Sequence, residues 1–168
     1  RSSAASDVYK RQIKRDVCAD FGAFEIYDET GIEKYLAEFS KSKRSRKIII
    51  HSADEIFVKI RCLSVSNIIA CNINAGGKKM RILMGVNRNE LVCICSGVNW
   101  KICGNIAQKS FSVQDVDNTV IAVQKRVFSS TESYELDVYS PSNELLSISV
   151  AVCINMLNTV DNPVRQAV

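Results

Sequence analysis

Apolar and polar residues alternate along most of this chain, and the alternation breaks only near the end. Phe24-Glu-Ile26-Tyr-Asp28 sets the pattern: an aromatic and an aliphatic residue two positions apart share one face of a strand, and a turn follows at Glu29-Thr-Gly31. The same reading places strands at 13–17, 32–39, 47–52, 55–63, 68–73, 79–84, 91–95, 100–103, 110–114, 120–127 and 133–139. Ala53-Asp54, Asn74-Ala-Gly-Gly77, Ser96-Gly97-Val-Asn99 and Asp115-Val-Asp-Asn118 separate them as turns, so the chain reads as successive hairpins. Phe111-x-Val113-x-Asp115 repeats the first motif, and Tyr134-x-Leu136-x-Val138 repeats its apolar part.

Residues 145–157 depart from this period. Leu145, Leu146, Ile148, Val150, Ala151, Val152, Ile154, Met156 and Leu157 make a segment apolar nearly all round. A helix without a polar face needs walls on every side, and at about 1.5 Å per residue this one is too short to cross a bilayer. The walls are therefore protein. About twelve strands and one enclosed helix predict an all-β fold, a closed antiparallel barrel around a hydrophobic C-terminal α-helix.

Composition adds boundaries to that picture. The first twelve residues carry no apolar periodicity and resemble a translated sequencing adaptor, so 1–12 are set aside as an artefact or disordered tail, 13–158 as the domain and 159–168 as a C-terminal tail. Without Arg1, Lys10, Arg11 and Asp7 the formal charge falls from +4 to +2, and global basicity gives no argument for nucleic acid. A hydrophobic content of 46% fits one domain with a real core. Seven cysteines, an odd number lying mostly in apolar runs, favour free thiols in a reducing cytosol over a disulfide framework.

Several blocks resemble a known family. Ile13-Lys-Arg15, Phe24-Glu-Ile-Tyr-Asp-Glu-Thr-Gly31, Gly104-Asn-Ile-Ala-Gln-Lys-Ser-Phe-Ser-Val-Gln-Asp115, Val120-Ile-Ala-Val-Gln-Lys-Arg-Val-Phe128, Ser133-Tyr-Glu-Leu-Asp-Val138 and the segment 145–157 are similar to consecutive blocks of the LURP-one-related proteins. These belong to the Tubby C-terminal-like group, which also holds the phospholipid scramblases. The resemblance implies a twelve-stranded barrel around a central helix, and a binding or scaffold domain rather than an enzyme. It also implies phosphoinositide or anionic phospholipid as a candidate ligand, with a protein partner as the other candidate, and a cytoplasmic location peripheral at the membrane. A scramblase-like lipid-handling protein is the alternative.

Candidate chemistry is sparse. His51 is the only histidine and ends a strand, where a structural role outweighs a catalytic one in the absence of a partner motif. Cys93-Ile-Cys95 puts two thiols on one strand face but lacks the further ligands of a metal site, so no metal or cofactor is expected. Asp115-Val-Asp-Asn118 opens like a calcium loop, but Val120 and Arg126 stand where the loop needs Gly and Glu. Gly76-Gly77-Lys78-Lys79 lacks phosphate-loop spacing. One feature stands out: Lys41, Lys43, Arg44, Arg46 and Lys47 fall within seven residues on an expected loop, a candidate contact for anionic headgroups or a protein partner.

Overall fold

A computed structural model of the chain describes residues 8–16, 22–41, 45–129 and 131–158, with positions 41 and 158 described by their backbone alone. Twelve strands follow one another: β1 (Tyr9–Asp16), β2 (Ala23–Tyr27), β3 (Glu33–Lys41), β4 (Ser45–Ser52), β5 (Glu55–Val65), β6 (Ile68–Ala75), β7 (Lys78–Asn87), β8 (Glu90–Ser96), β9 (Trp100–Asn105), β10 (Ser110–Asp115), β11 (Val120–Val127) and β12 (Ser133–Val138). A 3-10 turn at Pro141–Asn143 leads into α1 (Glu144–Asn155), which ends in a 3-10 turn at Met156–Asn158. All ladders are antiparallel, in the order β8-β7-β6-β5-β4-β3-β2-β1-β12-β11-β10-β9. The sheet curls into a nearly closed barrel with α1 inside.

Alternation fixes the inner surface. Phe24, Ile26, Phe111, Val113, Tyr134, Leu136 and Val138 all point inward and are buried, as their shared spacing predicts. The two Asp-ended motifs also share their turn. The amide of Asp28 donates to Ile32 O at 2.9 Å and that of Asp115 to Thr119 O at 3.0 Å. Each carboxylate Oδ1 then accepts from the amides two and four residues on, Thr30 and Ile32 in one turn and Asp117 and Thr119 in the other. Each ladder shifts register just before the aspartate, between Ile26 and Tyr27 and between Val113 and Gln114. The Asp115 segment is thus a hairpin turn, as its missing calcium-loop residues predict.

Three expectations change. The strand expected from Ile13 begins at Tyr9, and the pairs Tyr9↔Val138 through Gln12↔Glu135 place the end of the discarded segment inside the barrel wall. Arg11 is what sequence could not place: its side chain runs inward and its charge is neutralised there. Residues 1–7 and 159–168, expected as tails, lie outside the described residues. The hairpin expected between β8 and β9 is instead the seam: β8 pairs with β7, β9 pairs with β10, and no ladder joins the two among the described residues. Gly97 makes the crossing between them. At φ +88° a Cβ there would stand 2.8 Å from the carbonyl oxygen of Lys79, so the backbones pack too closely for a side chain. Finally, the expected loop 41–47 is largely strand, because β3 reaches Lys41 and β4 starts at Ser45.

Every residue of the helical segment from Leu146 to Leu157 is buried. Polar groups close both ends of the helix. At its N-terminus the Glu144 carboxylate accepts from Arg11 Nη2 (2.7 Å), Tyr35 Oη (2.7 Å) and Lys34 Nζ (2.8 Å to Oε1), which also suits the positive end of the helix dipole. At the C-terminus Lys109 Nζ donates to Ile154 O at 2.7 Å, and Gln124 and Asn155 hydrogen-bond each other. Burial pushes the Lys109 amine down to about 8, with the nearby Glu132 opposing the shift.

Glu144 gives a pH signature. Burial pushes its carboxyl up, but the hydrogen bonds from Lys34, Tyr35 and Arg11 outweigh burial and hold it below the ordinary 4.5. A depressed carboxyl contributes stability that is present above its unfolded pKa and lost as pH falls through the folded value. Wild-type protein should therefore lose stability on acidification below about pH 4.5. In Glu144→Gln part of that acid dependence should vanish, and denaturant melts at pH 3, 4, 5 and 7 check it. Equal pH slopes for both proteins would remove Glu144 from the account.

Candidate functional site: a basic outer face with an apolar rim

The barrel has two unlike ends. Helix α1 enters where β12 ends, and this entry end carries Asp28, Glu29, Asp54 and Asp117 in its turns and Glu55 and Asp115 at strand ends, together with the cation Lys78 beside the β6–β7 turn. The far end, reached by the C-terminus of α1, carries the β3–β4 connection, the β5–β6 turn and the β7–β8 turn.

Outside the barrel, the β4 to β8 wall is sorted into rows by register. Val65↔Ile68↔Gly85↔Val92 forms the row at the far end, and Leu63↔Ala70↔Leu83↔Ile94 the next. Both are apolar and face water, with Val65 69%, Ile94 61% and Ile68 52% exposed. Behind them runs Lys47↔Arg61↔Asn72↔Arg81↔Ser96, and then Lys59↔Asn74↔Lys79. In each of these rows an asparagine of β6 sits between cations of β5 and β7. No ion pair joins Lys47, Lys59, Arg61, Lys79 or Arg81 to a described residue. An open cleft of about 340 Å³ lies on this face, lined by Asn72, Asn74, Lys79, Arg81, Ser96 and Gly97 among others.

This arrangement suits a layered anionic partner. Exposed apolar rows at a rim can enter the boundary between headgroups and acyl chains, while the cations one and two rows behind meet phosphates. The paired amides and cations offer several directed donors to one phosphoryl group, which a single lysine does not.

Sequence alone missed this face, although it left a trace. From 56 to 89 the chain contains no Asp or Glu, while Lys59, Arg61, Lys78, Lys79, Arg81 and Arg88 are all cationic. Lys59 with Arg61, and Lys79 with Arg81, are two residues apart, which is the spacing of a shared strand face. Of the expected basic cluster, Arg46 and Lys47 are successive residues of β4 and point to opposite faces of the wall. Arg46 follows the inward parity of Ile48 and Ile50, and Lys47 joins the outer basic row. Lys43, Arg44 and the side chain of Lys41 lie outside the described residues.

Elsewhere, His51 Nε2 sits 2.6 Å from Glu38 Oε2 on the outer surface. Cys93 and Cys95 share the inward side of β8, and burial pushes their thiols up to about 12 and about 11. A group that no motif signals lies inside the barrel: Cys62 of β5, Cys71 of β6 and Cys153 of α1 have their Sγ atoms within 4.8 Å of one another.

A nearly closed barrel of twelve antiparallel strands around a C-terminal helix defines a Tubby-like barrel domain. The LURP-one-related family profile matches residues 12–155, and the chain belongs to that family. It is similar to the "Uncharacterized protein YxjI" of Bacillus subtilis (strain 168), 26% identical over 139 residues that cover 80% of this chain and 85% of that protein. An X-ray structure of a protein from Arabidopsis thaliana has the same fold, with a TM-score of 0.61 at 15% identity over 90% of this chain and 91% of that one. The match begins at Gln12, three residues inside β1.

Proposed function

We propose that this chain is a non-catalytic docking domain for anionic membrane surfaces, seated peripherally at the cytoplasmic side through the far end of its barrel. The observation that carries the reading is the outer wall built by residues 56–87 of β5 to β7, a stretch without Asp or Glu. There Lys59, Arg61, Lys79 and Arg81 stand in register behind the exposed apolar residues Val65, Ile68 and Ile94. Lys47 extends the row, and Lys41 at the end of β3, with Lys43 and Arg44 between β3 and β4, forms the rest of the proposed lipid contact, while Arg46 has the inward parity of β4 and stands behind them. Phosphoinositide headgroups are the favoured ligand, because the Arg–Asn–Arg and Lys–Asn–Lys rows can direct hydrogen bonds to more than one phosphate.

The entry end is the poorer docking surface. Its most exposed apolar residues, Ile32, Ile56 and Val116, are interleaved with Asp28, Glu29, Asp54, Glu55, Asp115 and Asp117, which anionic lipid would repel. The scramblase-like reading requires α1 to leave the barrel and enter the bilayer. Against it weigh the buried charges at both helix ends and the fact that no described helix is long and apolar enough to cross a membrane.

Vesicle cosedimentation tests the proposal. Wild-type protein should bind vesicles containing phosphoinositide more tightly than phosphatidylserine vesicles of equal charge density, and binding to both should fall steeply between low and physiological salt. Folded protein that ignores both at low salt would leave a protein-interaction module as the better description.

A further inference from the structure

We propose that Cys62, Cys71 and Cys153 form a buried all-sulfur site for a soft monovalent cation, copper(I), at the junction of the β5–β6 ladder and the last turn of α1. The three thiols come from three elements far apart in sequence, yet their Sγ atoms lie within 4.8 Å of one another and all three residues are buried.

Register explains the convergence. The two-residue turn between Val65 and Ile68 makes that pair the hydrogen-bonded end of the hairpin, and pairs alternate from there. Cys62↔Cys71 is the fourth pair of this ladder, so it falls at a non-hydrogen-bonded site, where side chains of opposing strands approach most closely. Their Sγ atoms are 2.7 Å apart. Cys153 then closes the third side from the helix, near the end held by Lys109 and Asn155.

The donor set selects the metal class. Three sulfurs with no nitrogen or oxygen ligand in the group suit a thiophilic cation that accepts two or three ligands. Zinc asks for four, and the only histidine is engaged with Glu38 on the outer surface. Copper(I) entering the site displaces two thiol protons to solvent and leaves a bis-thiolate of net charge −1, with the third sulfur as an additional donor. Arg46, the cross-strand partner of Cys62, supplies the countercharge from β4. Binding requires the Cys62 and Cys71 sulfurs to move apart, since two sulfurs on one metal at about 2.3 Å stand well beyond 2.7 Å from each other.

Anaerobic titration of the fully reduced chain with copper(I), in competition with bicinchoninate, tests this. One copper(I) per chain should be retained, X-ray absorption should report sulfur ligands only, two or three at a single short distance, and the melting temperature should rise by several degrees. Cys71→Ala and Cys153→Ala should each weaken retention at least tenfold, whereas Cys95→Ala, outside the group, should not change it. The absorption measurement uses wild-type protein and stands even if a core variant fails to fold. Equal retention by the variants, nitrogen or oxygen in the first coordination shell, no copper held against the competitor, or a Cys62–Cys71 disulfide in place of the free thiols would each overturn the site.

Discussion

Val150→Asp should leave no cooperatively folded protein. Val150 lies mid-way along α1, fully buried, with barrel wall on every side. The cations at the two ends of the helix are already engaged, Arg11 and Lys34 with Glu144 and Lys109 with Ile154, so an aspartate mid-way between them is set among buried apolar side chains. Burying an unpaired carboxylate costs more than the roughly 5–15 kcal/mol by which a domain of this size is stable, or forces it to take up a proton at a smaller but still severe cost. The variant should be insoluble, or show far-ultraviolet dichroism without a cooperative melt. A wild-type melting curve would mean that α1 is not enclosed.

The largest functional effect is expected from the outer wall. Replacing Lys59, Arg61, Lys79 and Arg81 together by Ser removes four exposed cations, each worth about 1 kcal/mol near an anionic surface. Vesicle affinity should therefore drop about a thousandfold, with a much shallower salt dependence. The melting temperature should hold, because none of the four is in an ion pair with a described residue. Replacing Lys43 and Arg44 by Ser tests the β3–β4 connection separately. If this second variant alone abolishes binding, the connection is the contact and the β5–β7 wall is only solvated.

Local pattern made much of the fold legible and long-range register hid the rest. Strand and helix positions could be read because each depends on a period within a few residues: Phe24 with Ile26, Phe111 with Val113, or the unbroken apolar run of α1. The basic wall could not be assembled the same way. Arg61 meets Arg81 across Asn72 only once both the Ser66-Asn67 and Gly76-Gly77 turns are placed to the residue, and a slip of one would send every cation to the interior. The thiol group has the same dependence, with the helix position added. Arg11, Lys109 and Glu144 were hidden for another reason. Charged residues are expected outside, and only the ends of an enclosed helix, with their unpaired amides and carbonyls, make burial of Glu144 and Lys109 favourable. The β8–β9 seam was misread as a hairpin because Ser96-Gly97-Val98-Asn99 has turn composition, and Gly97 is needed there for close backbone approach instead.

Docking through the far end of the barrel is tested most directly by depth. A single tryptophan is placed at Val65 or at Ile56, exposed residues at opposite ends, in a Trp100→Phe background. Each protein is then bound to phosphoinositide vesicles containing brominated lipid. The Val65→Trp fluorescence should shift to the blue and be quenched on binding, while the Ile56→Trp emission should stay as it is in solution. Quenching at Ile56, or binding with neither tryptophan quenched, would contradict docking through the far end.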